Sequence, residues 1–270
     1  MNEYSSRAMT RACLTLSALA WVSMTLVTHG AMIVTRAEDP AAYTTSLSGT
    51  STITFDGLPN GGLTTDVVWT DGGQQIGVID QVYTKIYDPF GGAGNPVQAD
   101  SRYIMQSTRD GVPDTTTIHF DSPMAYFGFW WSAGDASNDV IFRLGDEVVA
   151  EFTTADIMAH LPPEYNGNPR NGLNPDEAYA FLNFFGDANT VWDSVTFQNA
   201  HGSGSGFESD SWTTRSAPWG SLPGETGPVP GAAILSITGD QVEVIALPEP
   251  STSLCTLLGS LALLRRRRKS

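Results

Sequence analysis

The chain predicts an all-β protein, an antiparallel β-sandwich with jelly-roll-like topology. Short segments rich in Val, Ile, Phe, Tyr and Trp recur along its 270 residues. Clusters of Gly, Pro, Asn and Asp separate these segments roughly every 8–12 residues, a spacing typical of sandwiches. Helical periodicity is almost absent between the two ends of the chain. Strand count and domain size favour a jelly roll, whereas strand order cannot be read from the sequence.

The sandwich domain is predicted over residues 51–215. Its strand-like segments are residues 51–55, 67–70, 76–87, 102–106, 115–120, 125–131, 139–144, 148–152, 179–185, 191–197 and 206–212. Gly145-Asp146-Glu147 indicates a hairpin turn. Thr153–Leu161 predicts a short helix, with Thr153 and Asp156 as a capping pair. Residues 216–247 are read as a Pro/Gly-rich segment followed by a final hairpin or stalk.

The N-terminal segment, residues 1–37, predicts a secretory signal helix and its cleavage region. Arg7 and Arg11 precede the apolar run Leu14–Val27, and small residues follow it, so cleavage is expected within Gly30–Ala37. An uncleaved signal anchor is the alternative. Residues 38–50 are rich in Thr, Ser and Ala and read as a loose leader.

The C-terminal segment, residues 248–270, carries an apolar run between a short motif and a basic end. Its motif is Pro248, Glu249 and Pro250, and its basic tail is Arg265, Arg266, Arg267, Arg268 and Lys269. As a helix, Leu254–Leu264 would rise about 16 Å, against about 30 Å of hydrocarbon in a bilayer. A short transmembrane helix of this kind suits a temporary anchor whose basic end stays at the inner membrane face. A permanent tail anchor is the alternative.

This motif, the apolar run and the Arg-rich end resemble a PEP-CTERM sorting signal. The resemblance implies two partners, the secretion machinery and a membrane-embedded exosortase that removes the tail. It also implies transient contact with the membrane, followed by delivery to the cell surface or extracellular matrix. A sortase signal is the nearest competitor, but Leu247-Pro248-Glu249 is followed by Pro250 and Ser251 rather than Thr-Gly.

Composition limits the chemistry of the mature part. Residues 36–247 hold 7 Lys and Arg against 27 Asp and Glu, which gives a net charge of −20. Such a field repels nucleic acid and favours divalent cations or basic partners, although solubility alone also explains it. Cys13 and Cys255 lie in the two terminal segments, so no disulfide can cross-link the mature domain.

Aromatic residues are densest in the segment from Tyr126 to Asp139. Its first six residues are apolar on both strand faces, which predicts a central buried strand, with Gly128 marking close backbone approach. The functional alternative is a sugar-binding platform formed by Trp130 and Trp131.

The same segment, together with Tyr179–Phe185 and Gly206–Asp210, resembles one subfamily of exosortase-dependent surface proteins. The similarity covers residues 118–210. It implies a non-enzymatic surface domain and names no ligand.

Oxygen-bearing side chains follow the aromatic strand and recur in the second matched motif. They are Asp135, Asn138, Asp139, Glu208 and Asp210. Ca²⁺ takes about 6–8 such ligands, so these residues form a candidate calcium site, although the spacing matches no EF-hand loop. Asx-turns that cap the loops are the alternative.

Catalytic motifs are not found. His119, His160 and His201 sit in no metal-binding or triad spacing. A glycosidase carboxylate pair depends on distances that sequence does not give. We therefore expect a surface protein with a structural or adhesive role in the cell envelope or the extracellular polysaccharide matrix, with extracellular polysaccharide as a candidate partner, and we do not expect an enzyme. The alternatives are a glycan- or Ca²⁺-binding module and a secreted carbohydrate-active enzyme.

Overall fold

The structure is a computed structural model that describes residues 31–86, 98, 100–199, 206–238 and 241–244. The predicted signal helix, the sorting tripeptide, the apolar run after it and the basic tail lie outside the described residues. Among the residues that are described, no helix is both long enough and apolar enough to cross a bilayer.

The described residues form sixteen strands and little helix. The strands are β1 Met32–Arg36, β2 Ser51–Ile53, β3 Gly61–Gly62, β4 Val67–Asp71, β5 Gln74–Ile79, β6 Tyr83–Ile86, β7 Arg102–Ser107, β8 Thr115–Met124, β9 Tyr126–Gly134, β10 Asn138–Leu144, β11 Glu147–Thr153, β12 Ala178–Gly186, β13 Trp192–Asn199, β14 Gly206–Arg215, β15 Ala232–Thr238 and β16 Gln241–Val244. Helix α1 spans Thr154–Met158, and a single 3₁₀ turn spans Pro163–Tyr165.

The strands make two antiparallel sheets that pack face to face. The ten-stranded sheet has the order β16-β15-β1-β12-β9-β14-β7-β6-β3, with β2 pairing β14 beside β7. The six-stranded sheet has the order β11-β10-β13-β8-β5-β4. The predicted all-β sandwich is therefore confirmed, and it is larger than an eight-stranded jelly roll.

Aromatic rings fill the space between the sheets. Phe197 of β13 stacks on Trp212 of β14, with ring centroids 4.3 Å apart and an interplanar angle of 12°. Phe142 of β10 meets Phe184 of β12 at 5.0 Å. All four side chains are fully buried. Because each pair joins one sheet to the other, the aromatic composition is what closes the sandwich.

The predicted single strand over residues 76–87 is wrong, because the chain leaves one sheet and enters the other within it. Strand β5 belongs to the six-stranded sheet and β6 to the ten-stranded sheet. Gln81 between them has φ = +50°, a left-handed conformation that turns the chain. Asp80 fixes the exit from β5, since its Oδ1 accepts a hydrogen bond of 2.8 Å from the backbone N–H of Thr117.

The stretch that sequence analysis placed in the cleavage region forms strand β1. It pairs with β12 on one side and β15 on the other. Met32 and Val34 alternate into the core and are fully buried. The final hairpin is β15 and β16, and it extends this sheet beyond β1.

Local turn chemistry behaves as predicted. Strands β10 and β11 form a hairpin with Leu144 opposite Glu147. Helix α1 begins after Thr153, whose backbone N–H and hydroxyl both donate to Asp156 Oδ2, at 3.2 and 2.8 Å. The helix is shorter than predicted because it ends at Met158.

The Pro-rich segment after β14 is fastened to the sandwich rather than loose. Arg215 and Glu225 form an ion pair in which the two side chains are only 2% and 8% exposed. Glu225 Oε2 also accepts a hydrogen bond of 3.0 Å from the Gly220 backbone N–H. Trp219 packs edge-on against Phe185 of β12, with centroids 6.3 Å apart. These contacts hold the segment in one place.

Candidate ligand-binding face

The outward side of the six-stranded sheet carries a cluster of polar side chains from three neighbouring strands. The cluster, here called the polar face, consists of Thr117 and His119 of β8, Ser194 and Thr196 of β13, and Arg143 of β10. The residues next to them in each strand, Ile118, Val195 and Phe142, belong to the inter-sheet core. Because side chains alternate along a strand, the polar residues face away from the core.

Strand register arranges the polar face in two rows. In the first row, His119 lies opposite Ser194, and Ser194 lies opposite Arg143. In the second row, Thr117 lies opposite Thr196, and their hydroxyls hydrogen-bond to each other at 3.0 Å. The rows are two residues apart along each strand, which is about 7 Å. A sugar ring spans a similar length.

The polar face forms the floor of an open groove of about 520 Å³. Asp146 and Asp193 stand at one rim, by the hairpin between β10 and β11. Asp193 supports that hairpin, because its Oδ2 accepts a hydrogen bond of 2.9 Å from the Gly145 backbone N–H. The aromatic residue in the lining, Phe120, is only 8% exposed and packs in the core. The groove therefore offers polar contacts rather than ring stacking.

Two side chains with nitrogen donors, Arg143 and His119, lie on the polar face, and the acidic residues Asp80, Asp146 and Asp193 surround them. The Arg143 guanidinium makes no hydrogen bond or ion pair within the described part of the chain, so its five donors are available to a ligand. The His119 side chain is 62% exposed, and its Nε2 lies 3.7 Å from Asp80 Oδ2. The arrangement presents a planar cation beside the Thr117 and Thr196 hydroxyls, a combination that suits hydroxyl-bearing ligands. Ser194 is only 7% exposed, and its hydroxyl donates to Asp193 Oδ1 at 3.5 Å.

The two tryptophans proposed as a sugar platform are not on any exposed surface. Trp130 and Trp131 are both fully buried. Trp131 belongs to the inter-sheet core, while Trp130 packs on the other side of the ten-stranded sheet against Tyr179 and Phe181. Core packing is therefore what these rings do, and neither offers a face on which a sugar could stack.

Gly128 confirms the close approach predicted from sequence. A Cβ added there would lie 2.9 Å from Phe181 Cε1 and would also collide with the Tyr126 hydroxyl. The Tyr126 hydroxyl donates a hydrogen bond of 2.8 Å to Asn183 Oδ1, so the space over Gly128 is occupied. Burial raises the pKa of Tyr126, which keeps this hydroxyl a neutral donor.

The proposed calcium ligands fall into two groups. Asp135 caps the turn after β9, where its Oδ1 accepts hydrogen bonds from the Ser137 backbone N–H at 2.7 Å and from Asn138 Nδ2 at 3.4 Å. Asn138 and Asp139 begin β10, in the six-stranded sheet. This part of the motif matches the Asx-turn interpretation.

Glu208 and Asp210, the second group, lie in β14 of the ten-stranded sheet and are 7% and 0% exposed. Within the described ranges, no three His, Cys, Asp or Glu side chains are grouped closely enough to hold a metal ion. Calcium binding stays a prediction.

Sequence reasoning missed the polar face although its pattern is visible. Thr115, Thr117 and His119 alternate with core residues in one strand, as Ser194 and Thr196 do in another. That alternation marks an outward polar side, but it cannot tell which strands will be neighbours. His160 follows helix α1 and His201 lies outside the described residues, so neither joins the polar face.

Comparison with known proteins adds little. No family model and no curated protein matches the sequence. Among solved structures, the catalytic domain of a GH87 alpha-1,3-glucanase in complex with tetrasaccharides aligns with 13% identity and a TM-score of 0.30. The alignment covers 72% of this chain and 30% of the glucanase chain.

Proposed function

We propose that the protein is an exported, exosortase-processed surface protein with a structural or adhesive, non-enzymatic role. Its signal helix directs export, its short C-terminal helix holds it temporarily in the membrane, and tail removal delivers it to the cell surface or extracellular matrix. The support is the order of the terminal segments and the resemblance to PEP-CTERM proteins. The mature domain is expected to be free of disulfides, because both cysteines lie in removed segments.

The observation that carries this proposal is where the chain enters and leaves the sandwich. Strand β1, which follows the proposed export signal, pairs directly with β15, and β15 pairs with β16, which precedes the proposed sorting segment. These three strands are neighbours at one end of the ten-stranded sheet, so both proposed signals would connect to the same side of the domain. The polar face lies on the other sheet, so a domain tethered in this way would keep its polar face away from the tether.

Tail processing is tested by intact-mass analysis of protein from the native cell-surface and medium fractions. We expect a species that ends near Pro248–Ser251. Replacing Pro248, Glu249 and Pro250 together with alanine should leave the tail on and hold the protein in the membrane pellet. A wild-type chain that keeps Ser270 and stays in the pellet would contradict the proposal and indicate a permanent tail anchor.

A second candidate function is glycan binding at the polar face. Arg143 favours it, because this guanidinium has no partner among the described residues and lies beside the Ser194, Thr117 and Thr196 hydroxyls. Arginine can donate two parallel hydrogen bonds to a carboxylate and further bonds to hydroxyls. The negative charge of the domain and the Asp146 and Asp193 carboxylates at the rim disfavour a polyanion, so a neutral, hydroxyl-rich polysaccharide is the favoured ligand class.

Affinity electrophoresis in gels containing dextran, with alginate gels as the polyanionic comparison, tests this candidate. Arg143→Ala is expected to weaken retardation by dextran roughly tenfold, since a hydrogen bond to a charged group contributes about 1.5–3 kcal/mol. Arg109→Ala is the matched control, because Arg109 is exposed and lies outside the polar face. Equal retardation of both variants and of wild type would exclude this face as the binding surface.

A further inference from the structure

The N-terminal end of strand β1 is held by a carboxylate. The Ala31 backbone N–H donates a hydrogen bond of 3.1 Å to Asp187 Oδ2. In return, the Asp187 backbone N–H donates to the Ala31 carbonyl at 3.2 Å. Asp187 begins the turn that follows β12, the strand beside β1. The carboxylate thus lies where the chain enters the sheet.

The turn around Asp187 fixes the direction of its carboxylate. Asp187 Oδ1 accepts hydrogen bonds from the Asn189 backbone N–H at 2.8 Å and from the Thr190 hydroxyl at 2.7 Å. This leaves Oδ2 directed at Ala31. Burial alone would raise the pKa of Asp187, but these hydrogen bonds outweigh it and hold the pKa below its usual value. The carboxylate is ionised at neutral pH.

Strand β1 also limits where a peptidase can cut. Met32 and Val34 are core residues, and the strand has neighbours on both sides. A cut after Met32 would remove a buried side chain and its place in the ladder. Small residues, Gly30 and Ala31, stand immediately before the strand and after the apolar run. A cut at the Gly30–Ala31 bond keeps Ala31, which is bonded to Asp187, and leaves strand β1 whole.

We propose that export is completed by hydrolysis of the Gly30–Ala31 peptide bond and that Asp187 binds the new α-ammonium group of Ala31. This inference rests on the proposed export. Water supplies a hydroxyl to the Gly30 carbonyl carbon, and the Ala31 nitrogen takes the proton to leave as an amine, which then binds a further proton from solvent. The sequence before Ala31 departs with the signal peptide.

Cleavage changes what Asp187 binds. Before the cut, the Ala31 nitrogen is an amide with one donor and no charge. Afterwards it is an ammonium with three donors, because the unperturbed α-amino pKa is about 7.7–8.0 and a carboxylate at hydrogen-bond distance favours the charged form. The existing hydrogen bond becomes an ion pair without movement of either residue. Processing therefore strengthens the attachment of β1 at the moment the chain becomes mature.

The first test is N-terminal sequencing and intact mass of the exported protein. We expect the chain to begin at Ala31. A mature chain that begins at Met32 or later would overturn this inference and leave export intact. A chain that retains residues 1–30 would also overturn this inference and would indicate the uncleaved signal anchor. A protein found only in the cytoplasmic fraction would overturn the proposed export itself, so the two failures are distinguishable.

The second test separates the charge from the hydrogen bond. Thermal unfolding is measured for wild type, Asp187→Asn and Asp39→Asn, each before and after chemical acetylation of amines. Asp39 is the matched control, because it also accepts a backbone N–H, that of Ala41 at 2.9 Å, but lies near no chain end in the mature protein. Acetylation also modifies Lys85, the other amine of the mature chain, equally in all three.

Asp187→Asn should lower Tm by about 1–3 °C in the free-amine protein, the range of an exposed ion pair. After acetylation this difference should become clearly smaller without vanishing, because an acetylated nitrogen loses its charge but keeps its N–H, and the hydrogen bonds from Asn189 and Thr190 to Asp187 remain. The Asp39→Asn difference should not depend on acetylation. An Asp187→Asn effect of the same size before and after acetylation would overturn the ammonium pairing.

Discussion

Replacing Arg215 with methionine should lower the free energy of unfolding by about 3–5 kcal/mol, the usual cost of breaking a buried ion pair. The Arg215 side chain is 2% exposed, and the loss of its guanidinium would leave the Glu225 carboxylate, on a side chain that is 8% exposed, without its cation. The same guanidinium donates to the Ala217 carbonyl at 2.8 Å and the Ser48 carbonyl at 3.2 Å. One substitution therefore releases both the leader and the Pro-rich segment.

Urea unfolding followed by fluorescence measures this effect. Arg109→Met is the matched control, because Arg109 is exposed, and it should change stability by less than about 0.5 kcal/mol. The double variant Arg215→Met with Glu225→Leu should recover much of the loss, since apolar replacement of both partners removes the stranded charge. If Arg215→Met unfolds at the same urea concentration as Arg109→Met, the ion pair does not hold the segment.

Acid should weaken the same contact. Burial would raise the pKa of Glu225, but the hydrogen bonds from Arg215, Leu222 and Gly220 hold it below its usual value. A carboxyl with a depressed pKa in the folded state contributes stability above its unfolded pKa of about 4.3, and this is lost as the pH falls through the folded pKa. Arg215→Met should therefore lose less stability than wild type between pH 5 and the acid transition.

Truncating Phe197 to alanine is the second large effect, with an expected cost of about 3–5 kcal/mol and a Tm decrease of about 6–20 °C. The Phe197 ring stacks on Trp212 at 4.3 Å and meets Phe129 and Phe207 edge-on or tilted at 4.9 and 5.1 Å. Removing it would open a cavity where the two sheets meet. Neighbouring rings come from both sheets and cannot all collapse into the space.

Calorimetry tests this prediction, and near-UV circular dichroism reports whether the aromatic side chains of the core keep their fixed packing. Val68→Ala serves as the surface control, because Val68 is 53% exposed, and it should shift Tm by no more than about 2 °C. Phe197→Leu should fall between the two, because it keeps most of the apolar volume. A Phe197→Ala protein that melts with the Val68→Ala control would mean that the ring does not join the sheets.

Elements that depend only on residues close together in the sequence could be predicted. The β10–β11 hairpin follows from Gly145 and Asp146 between two alternating runs, and helix α1 from Thr153 and Asp156. The split between β5 and β6 could not be predicted, because the run is uniformly strand-like and Gln81 gives no warning of a left-handed turn. Side-chain periodicity identifies strands but not the sheet to which they belong.

The candidate site was harder to predict than the fold for a related reason. Trp130 and Trp131 are conspicuous in sequence, yet conspicuous aromatic residues in a sandwich usually fill the core, as they do here. The polar face is assembled from β8, β13 and β10, and β13 lies between the other two although it follows both in sequence. Arg143 and His119 share a surface only because of that long-range pairing.

The pairing of β1 with β15 has a consequence for the time at which the protein can fold. Met32 of β1 lies opposite Ile237 of β15, so the first strand of the domain completes its hydrogen bonds only after one of the last strands is available. Contacts this distant in sequence form slowly, because the entropy cost of closing a long loop comes before the contacts contribute any stabilising free energy. If the chain is exported from its N-terminus, as proposed, β1 would lack its β15 partner throughout transit. The native state would then be reached only after β15 has crossed the membrane.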